Sequence, residues 1–136
     1  MPKEDYLQKY LEKLSRVIAA MLGFRDKGFP EDALKLSDEV FRELYHVDTD
    51  ELSVMPLERF KEIIIKANHT TSYLETIAHL TLESARNKEL INAIQAHSLY
   101  SKSLMLLELL CQKDKTFSFE REALMAELSL LVRKDN

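Results

Sequence analysis

Three side chains that could bind a metal ion recur at four-residue intervals in the middle of the chain. Glu75, His79 and Glu83 are spaced so that they fall on one face of a helix, and carboxylate and imidazole groups are common metal ligands. A complete site would also need ligands from a second helix. Two interpretations follow. We favour a boundary position with ordinary salt bridges; the alternative is a small helical-bundle metal- or ligand-binding protein or enzyme that uses these residues.

Other residues with reactive side chains occur where a structural role is more typical. Cys111 follows an apolar helical run, and a buried thiol in such surroundings behaves as a small hydrophobic group. His97 is similarly typical of a core or boundary histidine. With only two glycines, the chain has neither a Gly-x-Ser-x-Gly turn nor a glycine-rich phosphate-binding loop. We therefore predict no catalytic, cofactor-binding or metal-binding residues, no cofactor, and a protein that is not an enzyme.

The charge and the distribution of apolar residues exclude some partners. The chain has 19 Lys and Arg against 23 Asp and Glu, a net charge of −4, which is the wrong sign for binding nucleic acid through its phosphates. No apolar run approaches the roughly 20 residues of a transmembrane helix. We therefore expect neither a nucleic-acid nor a membrane partner. Because Cys111 is the only cysteine and the N-terminal residues are charged, we expect a cytoplasmic protein.

Apolar residues recur every three or four positions along most of the chain, as Leu7, Leu11, Leu14 and Ile18 do in the first segment. This is the pattern of one helical face, and residues that favour tight turns are scarce. The sequence therefore predicts an all-α fold with a single domain over residues 1–136. We expect about six helices in antiparallel hairpins, at about residues 5–26, 30–45, 56–67, 73–86, 88–112 and 119–133.

Local signals define the ends of several of these helices. Gly28 suits the left-handed residue that ends the first helix, and Pro30 suits the first position of the second. Asp48 and Glu51 have the spacing of a capping box, which predicts a single short turn before the third helix. Three further end signals are expected later in the chain: a cap at Ser72 with Glu75, a turn at Asn87 and a cap at Ser118.

The second half of the fifth predicted helix, Leu104–Cys111, is apolar nearly all round. A helix of this kind is either covered by neighbouring helices or lies in a subunit interface. In both cases Leu107 is buried, so we predict that Leu107→Asp unfolds the chain or separates an oligomer.

Two segments resemble the turn between the two helices of a tetratricopeptide repeat. In Gly28–Leu34 a glycine ends one helix, an acidic first turn follows, and Ala33 stands where the helices of the repeat cross closely. Ser118–Leu124 is a fainter copy around Ala123. The two alanines are 90 residues apart (123 − 33), which is not a multiple of the repeat length of about 34. The sequence departs from the repeat at four positions: Pro30, Ser37, Val40 and Tyr45.

The opening of the chain, residues 5–34, also resembles the start of a family of small, uncharacterised bacterial proteins with a tetratricopeptide-like helical fold. The resemblance implies a right-handed superhelix of helical hairpins, or an irregular helical bundle, and a bacterial cytoplasmic setting. It implies no active-site residues.

Together these features predict a non-enzymatic protein–protein interaction module of tetratricopeptide-like type. Such a module would bind a segment of a partner protein along its concave face, or self-associate through the apolar fifth helix or the last helix. The identity of the partner and the specific function do not follow from residues whose visible role is packing.

Overall fold

Seven α-helices form the regular structure of the chain in the computed structural model, which describes residues 2–134, and this part contains no β-strand. The predicted all-α class is confirmed; Met1 and the last two residues of the predicted domain lie outside the described part. The helices are α1 (Pro2–Asp26), α2 (Pro30–Tyr45), α3 (Thr49–Val54), α4 (Leu57–Ala67), α5 (Thr71–Glu89), α6 (Ala93–Lys113) and α7 (Phe119–Lys134).

Several helix ends lie where local signals predict them. Gly28 is left-handed, with φ of 85°, and Pro30 opens α2. Asp48 and Glu51 form the predicted capping box, in which the Glu51 N–H donates to the Asp48 carboxylate at 2.8 Å. The resulting turn is a six-residue helix, α3. Ser118 caps α7, because its hydroxyl accepts a hydrogen bond from the Arg121 N–H at 3.2 Å.

Other predicted ends are wrong by two to five residues. The hydroxyl of Thr70, and not of Ser72, accepts from the Tyr73 N–H, so α5 begins earlier than expected. Asn87 is not in a turn: it is fully buried inside α5, and its amide donates to the Glu83 carbonyl at 3.0 Å. This local bond lets asparagine remain in a helix interior. Asn92 then caps α6, whose predicted start at residue 88 is five residues too early.

The first helix is also longer than predicted. It begins at Pro2, which we expected outside any element. Proline fits the first helical position because its missing N–H would have no partner within the helix there. Pro56, where we expected the third helix to begin, instead precedes α4 as its N-cap residue.

The helices pack around α5, which contacts α1, α2 and α6. Tyr10 stacks on Tyr73 near one end of α1, and Arg25 bonds to Glu83 near the other, so α1 and α5 run parallel. Helix α2 follows α1 and packs antiparallel to it, and α6 follows α5 and packs antiparallel to it. The short helices α3 and α4 pack on α6, and α7 packs on α6 from another side.

One cluster of buried apolar side chains receives residues from all seven helices. Most of the run Leu104–Cys111 is covered by helices of the same chain: Leu106 and Leu110 are fully buried, whereas Leu109 and Cys111 are half-buried. Ala33 is also fully buried, as the resemblance implies for a close helix crossing. Ala123, the corresponding residue of the second repeat-like segment, is exposed, so that segment lacks this feature.

Candidate functional site

The predicted residues Glu75 and His79 lie on a face formed by α1, α5 and α7. A groove of about 450 Å³ runs between α1 and α5, and a smaller one of about 140 Å³ runs between α5 and α7. Both grooves include Glu75 and His79, which therefore form the ridge between them. We call this surface the α1–α5–α7 face. The larger groove is lined by Ser15, Ile18, Ser72, Glu75, Thr76 and His79.

The charged groups of the smaller groove are arranged around one guanidinium. Arg121 donates to the Asp114 carboxylate at 3.1 Å and lies 3.7 Å from the Glu75 carboxylate. Hydrogen bonds from Thr116 and from Arg121 hold the pKa of Asp114 below its usual value. Because Arg121 is shared between two carboxylates, the groove keeps a negative balance. The exposed His79 ring has no hydrogen-bond partner among the described residues.

Glu83, the third residue of the predicted set, forms ion pairs with arginine side chains. Its carboxylate is buried and bonds to Arg25 of α1 and to Arg86, the latter at 3.3 Å. The structure therefore does not bring Glu75, His79 and Glu83 together as ligands. Over the side chains of residues 5–133, no group of three or more His, Cys, Asp or Glu residues could hold a metal ion. The reason is the packing of α1, which supplies a cation to Glu83.

Two other candidates occupy boundary positions. The half-buried His97 ring lies 2.9 Å from the Val132 carbonyl of α7, as expected for a boundary histidine. Cys111 is half-buried where full burial was predicted, and its sulfur lies 3.5 Å from that of Met125. Both contacts join α6 to α7, so these residues help to dock the last helix.

A cluster of histidine and tyrosine side chains around His69 was not predicted from the sequence. The Tyr45 hydroxyl lies 2.9 Å from His69 Nε2. The His69 ring stacks on the Tyr73 ring, with 4.5 Å between the two ring centroids. Tyr10 continues the stack on the other side of Tyr73, at 5.9 Å. Burial lowers the pKa of His69, and the nearby Lys113 ammonium adds to the effect. The cluster ties α1, α2 and α5 to the turn that precedes α5.

A buried lysine, Lys102 of α6, was also not predicted from the sequence. Its ammonium donates to the Met55 carbonyl at 2.7 Å and to the Ser98 hydroxyl at 2.8 Å, and no carboxylate of the described residues pairs with it. The Ser98 hydroxyl in turn donates to the Ser53 carbonyl. Lys102 and Ser98 therefore satisfy carbonyl groups at the end of α3. Burial lowers the pKa of Lys102 to about 8.

We predict that this lysine makes stability increase with pH. Since the pKa of Lys102 is about 8 in the folded chain and about 10.5 when unfolded, the unfolded state binds more protons above pH 8. The free energy of unfolding should rise by about 1 kcal/mol between pH 7 and pH 9. Urea unfolding at both values, with Lys102→Met and the exposed Lys66→Met as control, measures this. The rise should disappear only in Lys102→Met; an unchanged rise in that variant would contradict the assignment.

Comparison of the chain with protein-family models, with curated proteins and with solved structures found no match in any of the three. Among the helices described between residues 2 and 134, none is both long and apolar enough to cross a membrane. What the chain does must therefore be inferred from its own side chains and their geometry.

Proposed function

We propose that the chain is a non-enzymatic protein–protein interaction module of tetratricopeptide-like type, which binds a segment of a partner protein along the α1–α5–α7 face. The observation that carries this proposal is the pair of adjoining grooves that share Glu75 and His79. Two grooves separated by one ridge can receive side chains on both sides of a bound backbone. A partner segment would therefore lie along the ridge of α5, with its side chains reaching toward α1 on one side and α7 on the other.

The order and direction of the helices support the tetratricopeptide-like part of the proposal. In that architecture each hairpin has two antiparallel helices, and the first helices of successive hairpins lie side by side. Here α1 and α5 are parallel neighbours, and each has an antiparallel partner, α2 or α6. Two features depart from a regular array: α3 and α4 intervene between the hairpins, and Ala123 is exposed.

The chemistry of the larger groove supports recognition of a peptide. Ser15 and His79 present hydrogen-bonding groups from two different helices, and Ile18 adds a half-buried apolar surface to the same groove. A mixture of apolar contact and satisfied hydrogen bonds is typical of protein interfaces. Because these side chains stand on helices and not on loops, the backbone that carries them is ordered before a partner binds, which lowers the cost of binding.

Peptides selected by display on the purified chain would test the proposal. We expect selected peptides to bind at least tenfold more weakly to Ser15→Arg, which fills the groove, and to His79→Ala, which removes a polar contact. Ala20→Arg places the same new side chain on an exposed position of α1 that does not line the groove, and should bind like the unchanged chain. Fluorescence anisotropy measures the affinity of each peptide for the unchanged chain and for the three variants. Failure to enrich any peptide, or equal binding to all variants, would refute the proposal.

The setting of the protein belongs to the same proposal. We propose a single domain that works in the bacterial cytoplasm, on the resemblance of residues 5–34 and the lone Cys111. The apolar core shared by all seven helices supports the single domain. Self-association through α7 is a second way to engage a protein surface, since Leu130 of this helix is exposed.

A further inference from the structure

A separate groove of about 240 Å³ lies at the C-terminal ends of α4 and α6, on the other side of α5 from Glu75 and His79. Four of its eight lining residues are aliphatic, and three of the polar ones, Asn68, Gln112 and Lys113, are exposed. It shares no lining residue with the α1–α5–α7 face, so a ligand here would be independent of the proposed partner segment. The lining residues are Ile64, Ile65, Asn68, His69, Leu74, Leu109, Gln112 and Lys113.

The aliphatic part of the groove is open to solvent and of limited size. Ile65 is 58% exposed, and Leu109 is half-buried beside it. A cavity of about 150 Å³ is enough for a benzene ring, whereas drug-sized ligands occupy about 300 Å³ or more. A groove of 240 Å³ therefore fits one short aliphatic chain.

The exposed Lys113 carries a positive charge at the edge of the groove, in the last turn of α6, where a cation is favoured by the helix dipole. The Lys113 ammonium lies 3.4 Å from the Asn68 amide oxygen and donates to the His69 carbonyl, and both acceptors are uncharged. No carboxylate of the described residues pairs with it, in contrast to Arg121 and Asp114. An ammonium group has three protons to donate, so Lys113 retains one for a ligand. Hydrogen bonds between charged groups are stronger than neutral ones, which favours an anionic ligand.

We propose that this groove binds a small aliphatic monocarboxylate of about six to eight carbons. The hydrocarbon chain packs against Ile64, Leu74 and Leu109, and the carboxylate pairs with the Lys113 ammonium at the rim. This arrangement uses both properties of the groove at once, because the aliphatic side chains can cover a hydrocarbon chain and the ammonium has a proton left to donate to a carboxylate.

Titration with octanoate, followed by chemical shifts of the backbone amides, would test the proposal. We expect saturable shifts at residues 64–74 and 109–113, and at least tenfold weaker binding of octanol, which lacks the charge. Butanoate should also bind at least tenfold more weakly, because its chain is too short to cover the walls. Lys113→Met should weaken octanoate binding at least tenfold, whereas Lys115→Met, which removes an exposed lysine two residues away, should leave it unchanged.

One further variant and one further ligand distinguish the possible outcomes. Ile65→Glu introduces a negative charge into the wall and should abolish octanoate binding without unfolding the chain, since this position is exposed. Equal binding of octanoate and octanol, or an unchanged affinity in Lys113→Met, would overturn the proposal. An acetylated tetrapeptide ending in leucine, tested with a free carboxylate and as the amide, distinguishes the remaining case. If only its free acid binds, and tenfold tighter than octanoate, the occupant is a peptide C-terminus and the small carboxylate is wrong.

Discussion

Leu107→Asp is expected to unfold the chain. Leu107 is only 2% exposed and belongs to the part of α6 that packs between α5 and α7. Arg121 lines the same groove as Leu107 but is already shared between Asp114 and Glu75. Burial of a further carboxylate there costs several kcal/mol, whereas the whole free energy of unfolding of a domain is about 5–15 kcal/mol. Circular dichroism during thermal and urea unfolding should therefore show a lost or strongly lowered transition. Light scattering on the same samples shows whether the loss of structure accompanies a change in mass.

The exposed Leu130 of α7 offers a matched control. Leu130→Asp makes the same chemical change at a side chain that is 68% exposed, so it should alter the free energy of unfolding by no more than about 0.5 kcal/mol. If the two variants unfold alike, the packing of α6 between α5 and α7 is wrong. If Leu107→Asp stays folded but halves the mass, the run Leu104–Cys111 lies in a subunit interface.

The features that sequence predicted well are those fixed by neighbouring residues. Gly28 and Pro30 act through their own backbone restrictions, and Asp48 reaches Glu51 within one turn, so both helix ends follow from local rules. Where two local candidates compete, the choice depends on the surroundings. Thr70 and Ser72 can both cap α5, and the hydroxyl of Thr70 does so in the structure.

The candidate site was predictable only as far as helical periodicity reaches. The spacing of Glu75 and His79 places both on one face of α5, and the structure confirms this. The same spacing does not predict the contact of Glu83 with Arg25, which is 58 residues away and donates to the Glu83 carboxylate. His69 and Tyr45 are likewise 24 residues apart and meet only through the packing of α2 against the start of α5. Contacts of this kind depend on how helices dock, which no local pattern encodes.

The ion pair between Arg25 and Glu83 is the part of the predicted site with the largest structural consequence. The Glu83 side chain is 5% exposed and that of Arg25 is 19% exposed, so the pair joins α1 to α5 away from most of the solvent. The loss of one partner from a buried pair costs about 3–5 kcal/mol, because the remaining charge is left without compensation. Arg86 also contacts Glu83 and reduces that cost.

We therefore expect Arg25→Met to lower the free energy of unfolding by about 3 kcal/mol, and the double variant Arg25→Met/Glu83→Met to be more stable than Arg25→Met alone. Methionine keeps much of the side-chain volume, so the double variant replaces two charges by apolar contact. The exposed pair of Lys13 and Glu43, 3.8 Å apart on α1 and α2, is the matched control and should show a coupling of no more than about 1 kcal/mol. Urea unfolding of both double-mutant cycles gives the two coupling energies. Equal couplings would mean that Glu83 is solvated, and its carboxylate would then be free to join Glu75 and His79 on the α1–α5–α7 face.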